Sequence, residues 1–106
     1  MPKYLITGSY TVQGAKGVIA EGGSGRVAAV KKLAESLGGS VESFYFAFGG
    51  DDFFVTVDLP GNAAAAACAM SVAGSGGASP RTVVLLTPDE VDAAMKLSPS
   101  YRAPGA

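Results

Sequence analysis

Carboxylate and phenol side chains are the main candidates for chemistry in this sequence, because the chain contains no histidine. Without histidine there is no His-ligated haem or zinc site and no histidine general base. Asp51, Asp52 and Asp58 lie close together in the chain. Asp51 and Asp52 point to opposite faces of an extended segment, so they do not converge on a metal ion. The sequence therefore predicts no metal site and no cofactor, and a solvated turn with an Asx hydrogen bond at Asp51-Asp52.

Five polar side chains could line a ligand pocket on one face of a sheet. They are Thr7, Ser43, Tyr45, Thr56 and Asp58. Tyr45 could orient a substrate or act as a weak acid, with Asp58 expected as its diagonal neighbour on the adjacent strand. The same side chains could instead form a hydrogen-bonded contact between subunits that holds no ligand. No residue is assigned a catalytic role from the sequence.

A glycine-rich stretch, Gly22-Gly23-Ser24-Gly25, precedes a helical pattern. Its backbone N–H groups could hold an anion, with Lys16 and Arg26 adding positive charge. The anion-binding candidates are Lys16, Gly23, Ser24 and Arg26. The stretch lacks the Walker and GxGxxG spacings and does not directly follow a strand, so a loop with Ser24 as the helix cap is preferred.

Bulk composition restricts the setting of the protein. The single cysteine, Cys68, cannot form an internal disulfide and is expected as a small core residue, which favours a reducing cytoplasm. The net charge of −1 gives no reason to expect nucleic acid or an acidic membrane. No secretory signal or membrane-spanning run is evident. A chain with 48% hydrophobic and 16% charged residues is expected to bury some surface against a second copy.

The elements that position these residues centre on a hairpin within residues 41–59, where Phe, Tyr and Val dominate. A two-residue type II′ turn at Gly50-Asp51 would fix the register of this hairpin. One face would then be apolar, pairing Phe44 with Val57, Phe46 with Val55 and Phe48 with Phe53. The mixed face would pair Ser43 with Asp58, Tyr45 with Thr56 and Ala47 with Phe54.

Periodicity and caps predict the remaining elements. Strands are expected at 3–10 and 80–86, and main helices at 25–37 and 63–73. Thr87-Pro88-Asp89-Glu90 is a capping-box pattern that starts a short helix ending near residue 97. The order β-α-β-β-α-β predicts a ferredoxin-like α+β domain, with a four-stranded antiparallel sheet and both main helices on one face. Residues 1–97 form a single domain in this interpretation, and residues 98–106 form a flexible tail.

Several short motifs are spread over residues 2–97. They are Tyr10-Thr11, Gly14, Lys16-Gly17, Gly22-Gly23, Arg26, Gly38-Gly39, Phe44-Tyr45, Gly49, Asp52 and Thr87-Pro88-Asp89-Glu90. Together they resemble the GYD-domain family of small bacterial proteins, although Asp51 stands where the family's Gly, Tyr, Asp signature has tyrosine. The family is similar to the dimeric α/β-barrel group, in which two ferredoxin-like sheets face each other. That group includes cofactor-free monooxygenases, haem enzymes, stress-responsive proteins and ligand-binding regulators.

The resemblance implies a homodimer or higher homo-oligomer with a shared, barrel-like interior. The leading hypothesis is a cytoplasmic, non-enzymatic module that binds a small molecule or serves a stress response. One alternative is a cofactor-independent enzyme, monooxygenase- or isomerase-like, that uses Tyr45 and Asp58. Another is a purely structural assembly module. The expected partners are a second copy of the chain and an unidentified small molecule, with no nucleic acid and no membrane.

Overall fold

Four strands and three helices account for most of the chain in a computed structural model that describes residues 1–106. The elements are β1 (Lys3–Tyr10), α1 (Val12–Ser36), β2 (Ser40–Phe46), β3 (Phe53–Asp58), α2 (Asn62–Gly74), β4 (Ala78–Leu85) and α3 (Pro88–Met95). The strands form one antiparallel sheet in the order β2-β3-β1-β4. The predicted element order and four-stranded antiparallel sheet are confirmed.

The hairpin of β2 and β3 keeps the predicted faces but not the predicted register. Phe44 pairs with Val55 and Phe46 pairs with Phe53, so each phenylalanine is displaced by two residues from its expected partner. Side chains alternate with a period of two along a strand, so a shift of two residues leaves every side chain on its original face. The separation into an apolar face and a mixed face is therefore correct, although the predicted pairs are wrong.

The length of the turn explains the shift in register. The amide of Ala47 donates to the carbonyl oxygen of Asp52 at 2.9 Å, so residues 48–51 form the loop between the strands. Gly49 adopts a φ of 116°, a conformation that L side chains rarely accept. Phe48 consequently leaves the sheet and is fully exposed, instead of pairing on the apolar face.

The hydrophobic core lies between the apolar sheet face and the two main helices. Its buried members are Tyr4, Ile6, Phe53, Val55, Val57, Leu59, Ala65, Cys68 and Ala78. Cys68 is 4% exposed, as expected for a small core residue. Burial raises the pKa of its thiol above the usual range.

Helix α1 passes through the stretch that was expected to be a loop. Gly22 interrupts the helix at a single residue, with φ 80° and ψ 163°, and helical structure continues on both sides of it. The cap of α1 is Thr11, whose Oγ1 accepts from the amide of Gly14 at 3.1 Å, whereas Ser24 lies within the helix. The predicted loop and the predicted Ser24 cap are therefore wrong, because one glycine with positive φ provides the required break.

The two main helices cover the same sheet face but hardly contact each other. Helix α1 packs on β2 and β1, whereas α2 packs on β4. The sheet-facing side of α2 presents small residues, including Ala65 and Cys68. Short side chains do not reach across to α1, so space remains between the helices above β1 and β3.

Helix α3 extends away from the rest of the chain. Its predicted capping box is confirmed: Thr87 Oγ1 accepts from the Glu90 amide and Glu90 Oε1 accepts from the Thr87 amide, both at 3.1 Å. Every residue of α3 is exposed. The radius of gyration is 16.8 Å, against about 13 Å for a compact chain of about 100 residues. No helix is long and apolar enough to span a membrane.

Two glycines on α1 provide a matched test of how closely this helix packs against the turn that precedes β4. Gly17→Ala should raise the free energy of unfolding by about 0.8–1.0 kcal/mol, because alanine favours helix and the added Cβ meets open space. Gly14→Ala should lower it, because the Cβ would overlap the carbonyl oxygen of Gly77. Urea denaturation measures both changes. A stabilising effect of both substitutions would contradict the close approach of α1 to the turn that precedes β4.

Candidate functional site

The sheet face that carries neither α1 nor α2, here the open face, contains all five predicted ligand-binding side chains. Residues paired directly across neighbouring strands share a face. One row joins Thr7, Phe54 and Tyr45, a second joins Leu5, Thr56 and Ser43, and a third joins Lys3 and Asp58. The predicted common face is therefore correct, and a ligand-binding role for these five residues stays a prediction.

Tyr45 and Asp58 do not form the expected diagonal pair. Tyr45 pairs with Phe54, whereas Asp58 pairs with Ser40 at the other end of β3. Phe54 and Asp58 are four positions apart, which at about 3.3 Å per residue corresponds to about 13 Å. The longer turn of the hairpin causes this separation. Tyr45 and Asp58 therefore do not form the acid/base pair that was predicted on the open face.

Asp58 belongs to a group of charges at one end of the open face. Lys3 Nζ donates to Asp58 Oδ1 at 2.9 Å and to Glu42 Oε1 at 3.1 Å. Glu42 lies at a bulge in β2, where the register shifts between Val41 and Ser43. The hydrogen bond to Asp58, and next the one to Glu42, raises the pKa of Lys3 above its usual range. Asp58 is therefore occupied by an ion pair.

The adjacent carboxylates Asp51 and Asp52, at the end of the hairpin loop, bind other strands, rather than forming the predicted solvated turn. Asp51 Oδ2 accepts from Thr7 Oγ1 at 3.0 Å and from Arg81 Nη2. Asp52 Oδ2 accepts from the backbone amide of Tyr10 at 2.9 Å. The Asp51 side chain is only 18% exposed. These contacts tie the loop to β1 and β4, and long-range donors thus replace the expected Asx hydrogen bond.

A second candidate site lies in the space between α1, α2 and the apolar sheet face, and we call it the interhelix cavity. Its volume is about 350 Å³, within the range of about 300–1,000 Å³ typical of small-molecule sites. Most of its lining is apolar. The walls include Ile6, Val30, Leu33, Phe44, Val55 and Cys68. The cavity could therefore enclose an apolar group of a ligand.

Few polar groups line the interhelix cavity, and Arg26 is the only charged one. Arg26 Nη1 lies 3.4 Å from Glu21 Oε1, while Arg26 Nε is buried and has no hydrogen-bond partner. Tyr10 also lines the cavity, with its ring centroid 5.1 Å from that of Phe53. Burial raises the pKa of Tyr10 above its usual range, although the positive charge of Arg26 acts in the opposite direction. Arg26 and Tyr10 can therefore both donate hydrogen bonds at neutral pH.

The four residues predicted to bind an anion do not converge on one point. Arg26 lines the interhelix cavity, whereas Gly23 and Ser24 line a separate depression beside Phe46. Lys16 is exposed and lines neither space. The helix that continues through this stretch explains the difference, because successive helical residues face different directions. Of the four predicted residues, only Arg26 lines the interhelix cavity.

Sequence reasoning missed the interhelix cavity and the position of Tyr10 beside it. The available signal was the run of small residues at 63–69. Small side chains favour close approach of a helix to a sheet, but they also leave unfilled space when the neighbouring helix stays apart. The structure contains no group of three carboxylate, cysteine or histidine side chains placed to hold a metal ion.

The strand order and the two helices on one sheet face define a ferredoxin-like α+β domain. The family model described as the GYD domain matches residues 4–95, so the chain belongs to the GYD-domain family. No curated protein and no solved structure matches the chain. The fold and the family of the chain are therefore established.

The contacts of Asp51 can be tested against an exposed carboxylate on α3. Asp51→Ala should lower the free energy of unfolding by about 1–3 kcal/mol, because hydrogen bonds to a charged group that is mostly buried are lost. Asp92→Ala should have little effect, since Asp92 is exposed and forms no ion pair. Chemical denaturation of both variants measures the difference. Equal values for the two would show that the loop is not held by Asp51.

Proposed function

We propose that this GYD-domain protein is a non-enzymatic, homo-oligomeric module that binds a small molecule. The observation that carries the binding role is the interhelix cavity of about 350 Å³, apolar with one guanidinium in its lining. Pockets of this size, with apolar walls and few polar groups, are typical of small-molecule sites. The cavity lies between elements of a single subunit, so each subunit of the proposed oligomer would carry its own site.

The chemistry of the lining groups supports binding in preference to catalysis. The Cys68 thiol is buried, and its raised pKa keeps it protonated and poorly nucleophilic. The raised pKa of Tyr10 likewise keeps the phenol neutral at physiological pH. Arg26 cannot act as a base, because a guanidinium does not lose its proton in proteins. The cavity thus offers hydrogen-bond donors and apolar surface without an activated nucleophile.

The open face supports assembly with a second copy of the chain. Tyr45, Phe54 and Val83 lie on it and are 71%, 40% and 46% exposed. Lys3 and Arg81 are already paired with carboxylates of the same chain. Each of these cations thus already contacts a carboxylate of its own chain, which lowers the cost of burying the charges between two identical faces related by a two-fold axis. A second copy is thus the occupant that fits this face.

Helix α3 supports the same mode of assembly. Val91 is 42% exposed and Met95 is 75% exposed, and neither belongs to the hydrophobic core or packs against it. An amphipathic helix of eight residues gains most of its stability from packing, so α3 needs a surface to cover. In the proposed dimer α3 packs against the partner copy.

A purely structural assembly module is the second candidate, and the exposed open face favours it directly. A cofactor-independent enzyme built on Tyr45 and Asp58 is not favoured by any observation, because the two side chains are far apart. The free, buried thiol of Cys68 is compatible with the cytoplasmic location that we propose.

Assembly is tested by placing a charge on the open face. The natural protein should sediment as a dimer or larger species at micromolar concentration. Val83→Glu should weaken association at least about tenfold, because each interface would bury two unpaired carboxylates. Ile19→Glu is the matched control, since Ile19 is 82% exposed on α1 and lies away from the open face. A natural protein that sediments as a monomer would remove the assembly part of the proposal.

Binding is tested by native mass spectrometry of freshly purified protein. We expect a co-purified small molecule at up to one per chain. Cys68→Phe should abolish its retention, because the larger side chain fills the cavity, while circular dichroism checks that the variant is folded. A natural protein that carries no small molecule and binds none from a metabolite mixture would favour the structural module.

A further inference from the structure

We propose that the interhelix cavity binds a hydrophobic monocarboxylate, with the carboxylate held by Arg26 and the apolar body enclosed by the sheet and the two helices. This inference rests on the proposed function and adds the chemical class of the ligand. A molecule of this kind matches both parts of the lining, which is apolar except at the guanidinium and a few hydroxyl groups.

The guanidinium of Arg26 has unused donor capacity. Its Nη1 is 3.4 Å from Glu21 Oε1, longer than the roughly 2.7–2.9 Å of a strong charge-assisted hydrogen bond. Nε and Nη2 form the edge that binds a carboxylate side-on with two parallel hydrogen bonds. Nε is buried and has no partner, so a carboxylate bound along this edge of the guanidinium would supply the acceptor that it lacks.

The charges around Arg26 favour a single negative charge on the ligand. No other cation lines the cavity. Glu21 and Asp52 lie close enough to influence the neighbouring Tyr10, and both would repel a second negative charge. A monocarboxylate would share the guanidinium with Glu21, whereas a phosphate ester would bring close to two further negative charges to a guanidinium that already has one carboxylate beside it.

Tyr10 adds a second donor beside the guanidinium. Its side chain lines the same cavity as Arg26, and it makes no side-chain hydrogen bond within the chain. Burial keeps the phenolic proton in place at neutral pH. The hydroxyl can therefore donate to a carboxylate oxygen without itself becoming charged.

The size and the walls of the cavity define the apolar body of the ligand. An apolar cavity of about 150 Å³ takes up benzene, and the interhelix cavity, at about 350 Å³, is roughly twice as large. Phe44 and Phe53 contribute ring surface to the walls. A fused two-ring aromatic acid is therefore a suitable probe, since aromatic rings pack well edge-to-face or offset.

The test compares 2-naphthoate with its neutral isostere 2-naphthamide, by calorimetric titration of the full-length protein at neutral pH. We expect one site per chain and at least about tenfold tighter binding of 2-naphthoate, because only the ionised probe pairs with the guanidinium. Alkylation of Cys68 gives a second readout. Bound 2-naphthoate should slow the reaction of this thiol, which lines the same cavity.

Arg26→Met should remove the preference for 2-naphthoate and leave the binding of 2-naphthamide almost unchanged. Lys32→Met is the matched control, because Lys32 is exposed on the same helix and lines neither space. Arg26→Lys keeps the charge but not the two-donor edge, so it should retain part of the preference. An unchanged preference in Arg26→Met, with the protein folded, would overturn the role of Arg26.

The outcomes separate the ligand class from the proposed function. Equal affinity of the natural protein for both probes would overturn the monocarboxylate class while leaving small-molecule binding intact. Binding of neither probe would also overturn the class. A co-purified neutral molecule in native mass spectrometry would then keep the binding function, whereas an empty protein would remove both.

Discussion

The inner strand β1 is hydrogen-bonded to β3 on one side and to β4 on the other, and the alternation of its side chains defines the two faces of the sheet on which both candidate sites depend. Tyr4 and Ile6 are buried toward the helices, whereas Leu5 and Thr7 point to the open face. The hydroxyl of Tyr4 donates to Asn62 Oδ1 at 2.7 Å, so the core face also fixes the start of α2. Strand β1 thus positions α2 through Tyr4 on one face of the sheet and the hairpin loop through Thr7 on the other.

The interhelix cavity follows from a mismatch between the spacing of the helices and the size of the side chains between them. Ala65 and Cys68 are buried on α2 but are too short to meet α1. Larger apolar side chains there would fill the space and gain burial energy. Natural proteins often have lower stability than they could reach where a functional site requires it, and an unfilled cavity is consistent with that pattern. The same small residues that weaken the core therefore create the volume that the proposed ligand would occupy.

Local rules predicted the elements well and the long-range partners poorly. Strand alternation, the capping box at Thr87 and the burial of Cys68 follow from nearest neighbours and hydrophobicity, and all three are correct. The Gly-rich hairpin turn accepts more than one length, so the sequence could not fix the register. Asp51 looked like a turn residue because its partners, Thr7 and Arg81, come from distant strands. The cavity likewise depends on the distance between two helices, which no local pattern encodes.

The two candidate sites lie on opposite faces of one hydrogen-bonded sheet, and this arrangement bears on how ligand binding and assembly relate. Coupling between sites requires an element with two alternative arrangements that both sites influence. Strands β1 and β3 contribute to both sites, and the loop segment Asp51-Asp52 contacts residues of both. Asp51 binds Thr7 and Arg81 on the open face, while Asp52 binds the amide of Tyr10 beside the cavity. The hydrogen bonds on both sides of β1 and β3, together with these side-chain contacts, stabilise the one arrangement of the shared elements that the structure shows. The proposed ligand binding and the proposed assembly should therefore be largely independent, so that substitutions on one face affect one property and spare the other.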